Sequence, residues 1–250
     1  MTGTDSTTHS NVRWFADLGL GDLEQVGGKN SSLGEMVSHL TDLGVRVPNG
    51  FATTADAFHR FIAADVDGKG GLTERIADLL RDLDTDDTRA LAAVGKEIRD
   101  AVVGQPFPED LEADIRAAYE TLVAEAGGEA SFAVRSSATA EDLPDASFAG
   151  QQDTFLWIRG AESVKEHVRR CWASLYTSRA ITYRRSNRID ESNLSMAVVV
   201  QKMVNARAAG VAMTLDPATG DRSKVVIDAS YGLGELVVSG TVTPDSTMLD

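Results

Sequence analysis

The residues FAVRSSATAED (132–142), continued by SFAGQQDT (147–154), carry the first clear indication of what this chain forms. A short apolar strand leads into Arg135, and small hydroxylated residues and glycine follow it. Such a loop lets backbone N–H groups and hydroxyls approach a polyanion, while the arginine supplies a fixed, planar charge. Taken alone, the pattern is compatible with a phosphate site or with a surface loop whose arginine pairs with a carboxylate.

A second glycine-containing stretch lies upstream, VGGKNSSLGEM (26–36). Apolar residues then recur at the spacing of one helix face, at Leu33, Met36, Val37 and Leu40. Because Asn30 and Ser31 are favourable N-cap residues, we expect Lys29 to lie on a glycine loop at a helix N-terminus. Free N–H groups and the helix dipole favour anions at such a position. The spacing is not that of a Walker A loop.

Composition narrows the class of protein. The chain has 250 residues, enough for one large domain or for two small lobes around a cleft. Its formal net charge of −14 argues against a nucleic-acid-binding protein, which would need a basic patch. A phosphate site would therefore need local positive charge, for which Lys29, Arg135 and Lys202 are the candidates.

The sequence carries no pattern typical of a targeting or membrane segment. Residues 1–11 are polar and predict a disordered tail rather than a signal peptide, and no apolar run reaches membrane-spanning length. The single cysteine, Cys171, cannot form an internal disulfide and lies on an apolar helix face, which predicts a core position in a reducing compartment. We expect a cytoplasmic protein with neither membrane nor nucleic-acid partners.

Periodicity predicts a helix-rich part, residues 12–128, followed by a mixed α/β part, residues 129–250. Helices are expected after Lys29 and over residues 55–64, 72–83, 88–103, 108–126, 161–175 and 178–186. Strands are expected over residues 154–158, 196–203, 210–215 and 224–229. The fold class is therefore α+β.

Four separated motifs occur in an order that resembles the N-terminal nucleotide-binding region of the phosphoenolpyruvate synthase family. They are VGGKNSSLGEM (26–36), VPNGFATTADAF (47–58), FAVRSSATAED (132–142) and YGLGELVVSG (231–240). The similarity runs from Val12 to Asp250, and pyruvate phosphate dikinase and the rifampicin phosphotransferases share parts of the pattern. The resemblance implies an ATP-grasp-like nucleotide-binding domain, incomplete at its C-terminal end.

The resemblance also implies a set of site residues. Lys29 and Arg135 would be catalytic and would bind ATP, Lys29 at the phosphates and Arg135 at the transferring phosphoryl group. Gly150 would allow the backbone to approach the nucleotide closely, and Thr154 would lie near it. Gln201 would lie near the adenine, with a structural hydrogen bond as the alternative role of its amide.

Two adjacent carboxylates in the same loop, Glu141 and Asp142, are assigned no chemistry. In the family, phosphate passes from ATP to a histidine in a Gly-Gly-x-Thr-x-His setting. None of the four histidines here has those neighbours: His9, His39, His59 and His167. We therefore expect the phosphohistidine and pyruvate-binding domains to be absent, and the Mg²⁺ ligands to lie in a missing C-terminal part, with no metal ligand in this chain.

The expected function follows from the resemblance. The chain would be the ATP-binding portion of an enzyme that converts ATP, pyruvate and water into phosphoenolpyruvate, AMP and phosphate. Its partners would be ATP and, through the absent domains, pyruvate, and a homo-oligomer is compatible with this reading. Two alternatives stay open: a sister phosphotransferase, or a truncated and inactive nucleotide-binding module.

Overall fold

The computed structural model describes residues 10–66, 68, 70–139, 142–143, 146–147, 153–189 and 194–250. Within this part of the chain, helices and strands are mixed, which confirms an α+β protein. The chain divides into two compact units, the first ending at Met203 and the second comprising Val204–Asp250.

The first unit is built on a five-stranded sheet in which every neighbouring pair is antiparallel. The strand order is β1-β2-β7-β3-β6. The strands are β1 (Val12–Trp14), β2 (Gly50–Thr53), β3 (Phe132–Ala138), β6 (Thr154–Ile158) and β7 (Met196–Lys202). A separate two-stranded ladder pairs β4 (Asp142–Leu143) with β5 (Ala146–Ser147).

Seven α-helices belong to this unit within the described residues. They are α1 (Leu23–Leu40), α2 (Ala55–Ala63), α3 (Leu72–Arg81), α4 (Thr88–Gly104), α5 (Glu109–Glu125), α6 (Ala161–Ala173) and α7 (Ser178–Ser186). Side-chain oxygens of Thr54, Asp87 and Thr177 accept backbone N–H groups at the starts of α2, α4 and α7. The helices predicted from residue 55 onward are confirmed with ends shifted by at most two residues, and a 3₁₀ turn, Ser174–Tyr176, follows α6. Helix α1, expected after Lys29, begins earlier, at Leu23.

The two faces of the sheet bury different clusters, because successive side chains of a strand point to opposite sides. On β7, Met196, Val198 and Val200 pack into the large cluster formed with the helices, whereas Ala197 and Val199 pack into a smaller cluster with residues of α1 and the preceding turns. The predicted core position of Cys171 is confirmed, since it is fully buried in the large cluster and burial raises the pKa of its thiol.

The second unit contains a three-stranded antiparallel sheet of order β10-β9-β8 and one short helix. Its elements are β8 (Ala208–Met213), β9 (Val225–Tyr231), α8 (Glu235–Val238) and β10 (Asp245–Leu249). The strands predicted at 210–215 and 224–229 are confirmed with shifted ends. All five residues of β10 are exposed, so this strand contributes little buried apolar surface to the unit.

Helix α1 is interrupted near its start by Gly27, whose backbone angles are φ 74° and ψ 166°. The helix resumes directly after this kink, so the prediction that Asn30 and Ser31 cap the helix is wrong. Both lie inside the helix, and their side chains donate hydrogen bonds back to the carbonyls of Val26 (2.7 Å) and Gly27 (3.0 Å). The physical reason is that Gly27 itself adopts the non-helical conformation, one that is essentially restricted to glycine.

Replacing Gly27 with alanine should destabilise the first unit. A Cβ atom there would lie 2.3 Å from the carbonyl oxygen of Ser137, and the backbone angles already disfavour any side chain. We expect Gly27→Ala to lower the free energy of unfolding, measured by urea denaturation, by about 1–3 kcal/mol. Gly21→Ala is the control, because its Cβ would meet nothing within 4 Å. Equal stability of the two variants would contradict this reading of the kink.

A buried lysine joins α5 to α6. Lys165 is only 5% exposed, and its ammonium group is ion-paired with Glu112 on α5 and with Glu162 at 2.8 Å. Arg116 binds the same two carboxylates, at 3.3 and 2.6 Å. The hydrogen bond from Lys165 is the main influence that holds the pKa of Glu112, and that of Glu162, below the ordinary glutamate value.

This cluster should make stability depend on pH. A carboxyl group whose pKa is lower in the folded state stabilises the fold above its unfolded pKa of about 4.3, and that stability disappears as the pH falls through the folded value. We expect the urea midpoint to fall less steeply with acidification in Lys165→Met than in the unaltered chain. Lys96→Met is the control, since the Lys96–Asp100 pair is largely exposed. An unchanged acid slope in Lys165→Met would contradict the assignment.

Candidate functional site

Three of the predicted site residues lie on one face of the five-stranded sheet. Arg135 on β3 is paired with Thr154 on β6 and with Val199 on β7. Gln201 is paired with Ala133, two residues before Arg135 and therefore on the same face. The register of the antiparallel strands thus brings Arg135, Thr154 and Gln201 together from three separate parts of the chain.

Helix α1, which carries Lys29, packs against this same face. It contacts β3 and β7, and its residues Val26 and Leu33 share the smaller cluster with Ala197 and Val199 of β7. Lys29 lies in the first turn after the kink and is half-buried. The predicted proximity of Lys29 to a helix N-terminus therefore has a structural counterpart, although the chain reaches it through a kink rather than through a loop.

The kink is joined to β3 by hydrogen bonds at Ser137. Its hydroxyl donates to the carbonyl of Val26 at 2.9 Å and accepts the backbone N–H of Asn30 at 3.4 Å. Ser137 and Asn30 are fully buried, and Gly27 leaves just enough room for this contact. Sequence reasoning assigned Ser137 no role. Alternation along β3, which puts it on the face of Arg135, was the signal that could have found it.

The guanidinium of Arg135 has one buried nitrogen without a hydrogen-bond partner among the described residues, as do those of Arg169 and Arg184. In Arg135 the Nε atom is buried and has no hydrogen-bond partner in the part of the chain that the structure describes. Nε is the only guanidinium nitrogen of Arg135 that is buried without a partner. Since a buried N–H group without an acceptor costs free energy, this Nε atom calls for an explanation.

Gln201 has a partner within the protein. Its Nε2 atom donates to the carbonyl oxygen of Pro48 at 3.1 Å, which fixes the segment leading into β2. A structural hydrogen bond of this kind was the alternative to adenine recognition predicted for the Gln201 amide. One of the two amide donors is thereby used, and the carbonyl oxygen of the side chain has no such bond among the described contacts.

The remaining candidates have different outcomes. Thr154 begins β6 and is exposed beside Arg135. Lys202 is paired with Phe132, which places it on the opposite face from Arg135, so its proposed contribution to the same positive region is wrong. Gly150 and Glu141 lie outside the described residues, as does the side chain of Asp142.

Asp153, just before Thr154, was not singled out by the sequence. Its carbonyl oxygen accepts the backbone N–H of Ser136 at 3.3 Å, which extends the pairing of β3 with β6 by one residue. Burial raises the pKa of its carboxyl group, and the nearby charge of Arg99 partly offsets that rise.

Metal-binding and membrane-spanning features are both absent from the described residues. No three histidine, cysteine, aspartate or glutamate side chains among them are grouped so as to hold a metal ion. In the same part of the chain, none of the helices combines the length and apolar character needed to cross a bilayer. The face around Arg135 brings together the predicted site residues Arg135, Thr154 and Gln201, with α1 and Lys29 packed against it.

Comparison with known proteins gives the family. Residues 23–250 match the family described as pyruvate phosphate dikinase, AMP/ATP-binding domain. The chain is 53% identical over 237 residues to phosphoenolpyruvate synthase of Neisseria meningitidis, covering 94% of this chain and 29% of the relative.

It is also 48% identical over 236 residues to phosphoenolpyruvate synthase of Escherichia coli, covering 94% of this chain and 29% of the relative. A probable phosphoenolpyruvate synthase of Methanothermobacter thermautotrophicus is 48% identical over 240 residues, with 96% of this chain and 34% of the relative covered. The chain thus spans about three tenths of the length of these relatives. Because the family match extends over most of its residues, the chain belongs to the pyruvate phosphate dikinase AMP/ATP-binding domain family.

Proposed function

We propose that this chain is the ATP-binding portion of a phosphoenolpyruvate synthase. The observation that carries the proposal is that Arg135, whose buried Nε has no partner among the described residues, lies on the sheet face against which α1 packs, in a chain of the AMP/ATP-binding family. The relatives at 48–53% identity bear the name phosphoenolpyruvate synthase, which supports that activity over those of the sister phosphotransferases.

In the proposed reaction, ATP, pyruvate and water give phosphoenolpyruvate, AMP and phosphate. Phosphate would pass from ATP to a histidine on another domain and then to pyruvate at a third. The residues described here would act only in the first part, by binding and orienting ATP. Positioning and electrostatic stabilisation supply most of the catalysis in phosphoryl transfer, so fixed cations are the main requirement.

Each residue on this face would have a separate role in binding ATP. The terminal nitrogens of Arg135 would bind oxygens of the transferring phosphoryl group, in the planar, two-pronged geometry that suits phosphate. Lys29 would contact the phosphates as a point charge from the first turn of the resumed helix, where backbone N–H groups also favour anions. Thr154 would contribute a hydroxyl beside Arg135, Gly150 would allow close backbone approach, and the free carbonyl oxygen of Gln201 would face the adenine.

We propose Mg²⁺ as a cofactor, but we assign none of its ligands to the residues of this chain. The described residues do not fit a metal site, because no suitable group of carboxylates, histidines or cysteines is found among them. Bound Mg²⁺ would neutralise phosphate charge, and we place its ligands outside this chain. We further propose that the α+β fold is of the ATP-grasp kind, with the helix-rich part over 12–128 and the mixed part over 129–250, and that the protein acts in the cytoplasm.

The first test is ATP binding by variants of the two cations. Arg135→Ala and Lys29→Ala should each weaken ATP binding by roughly tenfold or more, the size expected when a hydrogen bond to a charged group is lost. The measurement is isothermal titration calorimetry on the 250-residue chain. Arg89→Ala is the matched control: it removes one positive charge from an exposed site at the start of α4 and should leave ATP affinity unchanged.

Two outcomes would count against the proposal. If all three variants bind ATP equally well, the face around Arg135 is not the nucleotide site. If a complete protein containing this chain forms AMP from ATP only when phosphate is supplied, the activity is that of a dikinase that uses phosphate rather than water. Pyruvate-dependent AMP formation that is lost in Arg135→Ala would support the synthase.

A further inference from the structure

Asn30 is fully buried and, like Arg135, has an unsatisfied polar atom. Its Oδ1 oxygen has no hydrogen-bond partner in the described part of the chain, whereas its Nδ2 donates to the carbonyl of Val26 at 2.7 Å. Buried polar groups are normally satisfied, so each exception calls for a physical explanation. Here the unpaired acceptor of Asn30 accompanies an unpaired donor, the Nε–H of Arg135.

The fold places these two groups in the same neighbourhood. The backbone N–H of Asn30 lies 3.4 Å from the hydroxyl of Ser137, and Ser137 occupies the next position on the same face of β3 as Arg135. The bond to Val26 fixes the amide orientation of Asn30, because Nδ2 must face the Val26 carbonyl as its donor. The Oδ1 oxygen then points away from that carbonyl. A long arginine side chain can adapt to such a neighbour by rotation about its torsions.

We propose that Asn30 is a positioning residue for Arg135, and that its Oδ1 accepts the Nε–H of the guanidinium when an anion engages the terminal nitrogens. The inference rests on the proposed function of Arg135 and deepens it. Holding Nε from inside the protein leaves both terminal nitrogens facing outward, in the fork geometry that binds two phosphate oxygens. It also satisfies two buried groups with a single hydrogen bond.

The same arrangement gives the kink a role in the site. Asn30 occupies its place because the helix resumes at the kink and because Ser137 anchors that turn to β3. Lys29 and Asn30 are consecutive, so one helical turn would supply both a cation for the phosphates and the acceptor that orients the second cation. Asn30 itself need not touch the nucleotide.

The test begins with ATP affinity in a double-mutant cycle. Asn30→Leu replaces the amide with an apolar side chain of similar size and should weaken ATP binding roughly tenfold in the unaltered background. In the Arg135→Ala background the same change should weaken binding less than about twofold, since there is no guanidinium left to orient. Ser31→Ala is the matched control, because it removes a buried hydrogen bond to Gly27 in the same turn without removing the acceptor. Equal effects of Asn30→Leu in both backgrounds would overturn the proposal.

A second measurement separates this proposal from the proposed function. Hydrogen exchange of the Arg135 Nε–H is followed by nitrogen-15 NMR, with inorganic pyrophosphate as the anion and Arg135→Lys to assign the signal. We expect protection in the unaltered chain, in Ser31→Ala and in Asn30→Asp, which keeps an acceptor oxygen, and roughly tenfold faster exchange in Asn30→Leu. Unchanged exchange in Asn30→Leu would overturn the positioning role even if ATP binds. Failure of the unaltered chain to bind ATP would overturn the proposed function, while the exchange rates would still decide the role of Asn30.

Discussion

The close approach of α1 to β3 at Gly27 and Ser137 is the constraint on which the rest of the site depends. It requires a residue without a side chain, because a Cβ at position 27 would lie 2.3 Å from the carbonyl oxygen of Ser137. It also requires a backbone conformation that glycine tolerates and other residues do not. The hydroxyl of Ser137 then compensates for the interrupted helical pattern by binding groups on both sides of the kink. A helix and a strand distant in sequence are thereby held in one fixed relation.

The neighbours of Arg135 on the sheet differ from those of the arginines that form ion pairs. Other arginines of the first unit are matched with carboxylates, as in the pairs of Arg13 with Asp22 at 2.6 Å and Arg75 with Glu97 at 2.9 Å. Arg135 is instead followed by two buried serines and flanked across the sheet by Val199 and Thr154. None of these neighbours carries charge. Among the described residues, these strand neighbours thus leave the positive charge of Arg135 without a carboxylate beside it on the sheet.

The sequence predicted what depends on local patterns and missed what depends on contacts between distant residues. Helices α2 and α4 were predicted from their apolar periodicity, and the structure adds caps at Thr54 and Asp87. Strand β1 has three residues and no periodicity of its own, and it is a strand only because β2 pairs with it. The kink at Gly27 was mistaken for a loop before a helix, since its cause lies on β3.

The same distinction between local patterns and distant contacts applies to the candidate site. The residue types at Lys29, Arg135 and Thr154 suggested phosphate chemistry, and the register of β3 with β6 brings the last two side by side. The bond from Gln201 to the carbonyl of Pro48 joins residues 153 positions apart, so no local signal could reveal it. Likewise, whether an arginine meets a carboxylate or remains unpaired depends on packing that composition does not specify.

The position of β7 in the sheet has a consequence for how the protein is made. This strand lies between β2 and β3, and its backbone at Val198 is bound to the hydroxyl of Thr53, 145 residues earlier. Synthesis proceeds from the N-terminus, so α1 and β2 leave the ribosome long before the strand that completes the sheet beneath them. Until β7 emerges, the apolar faces of these elements have no permanent partner. Contacts between residues so distant in sequence also form slowly, which makes this interval the period when the nascent chain is most exposed to misassembly and to chaperones.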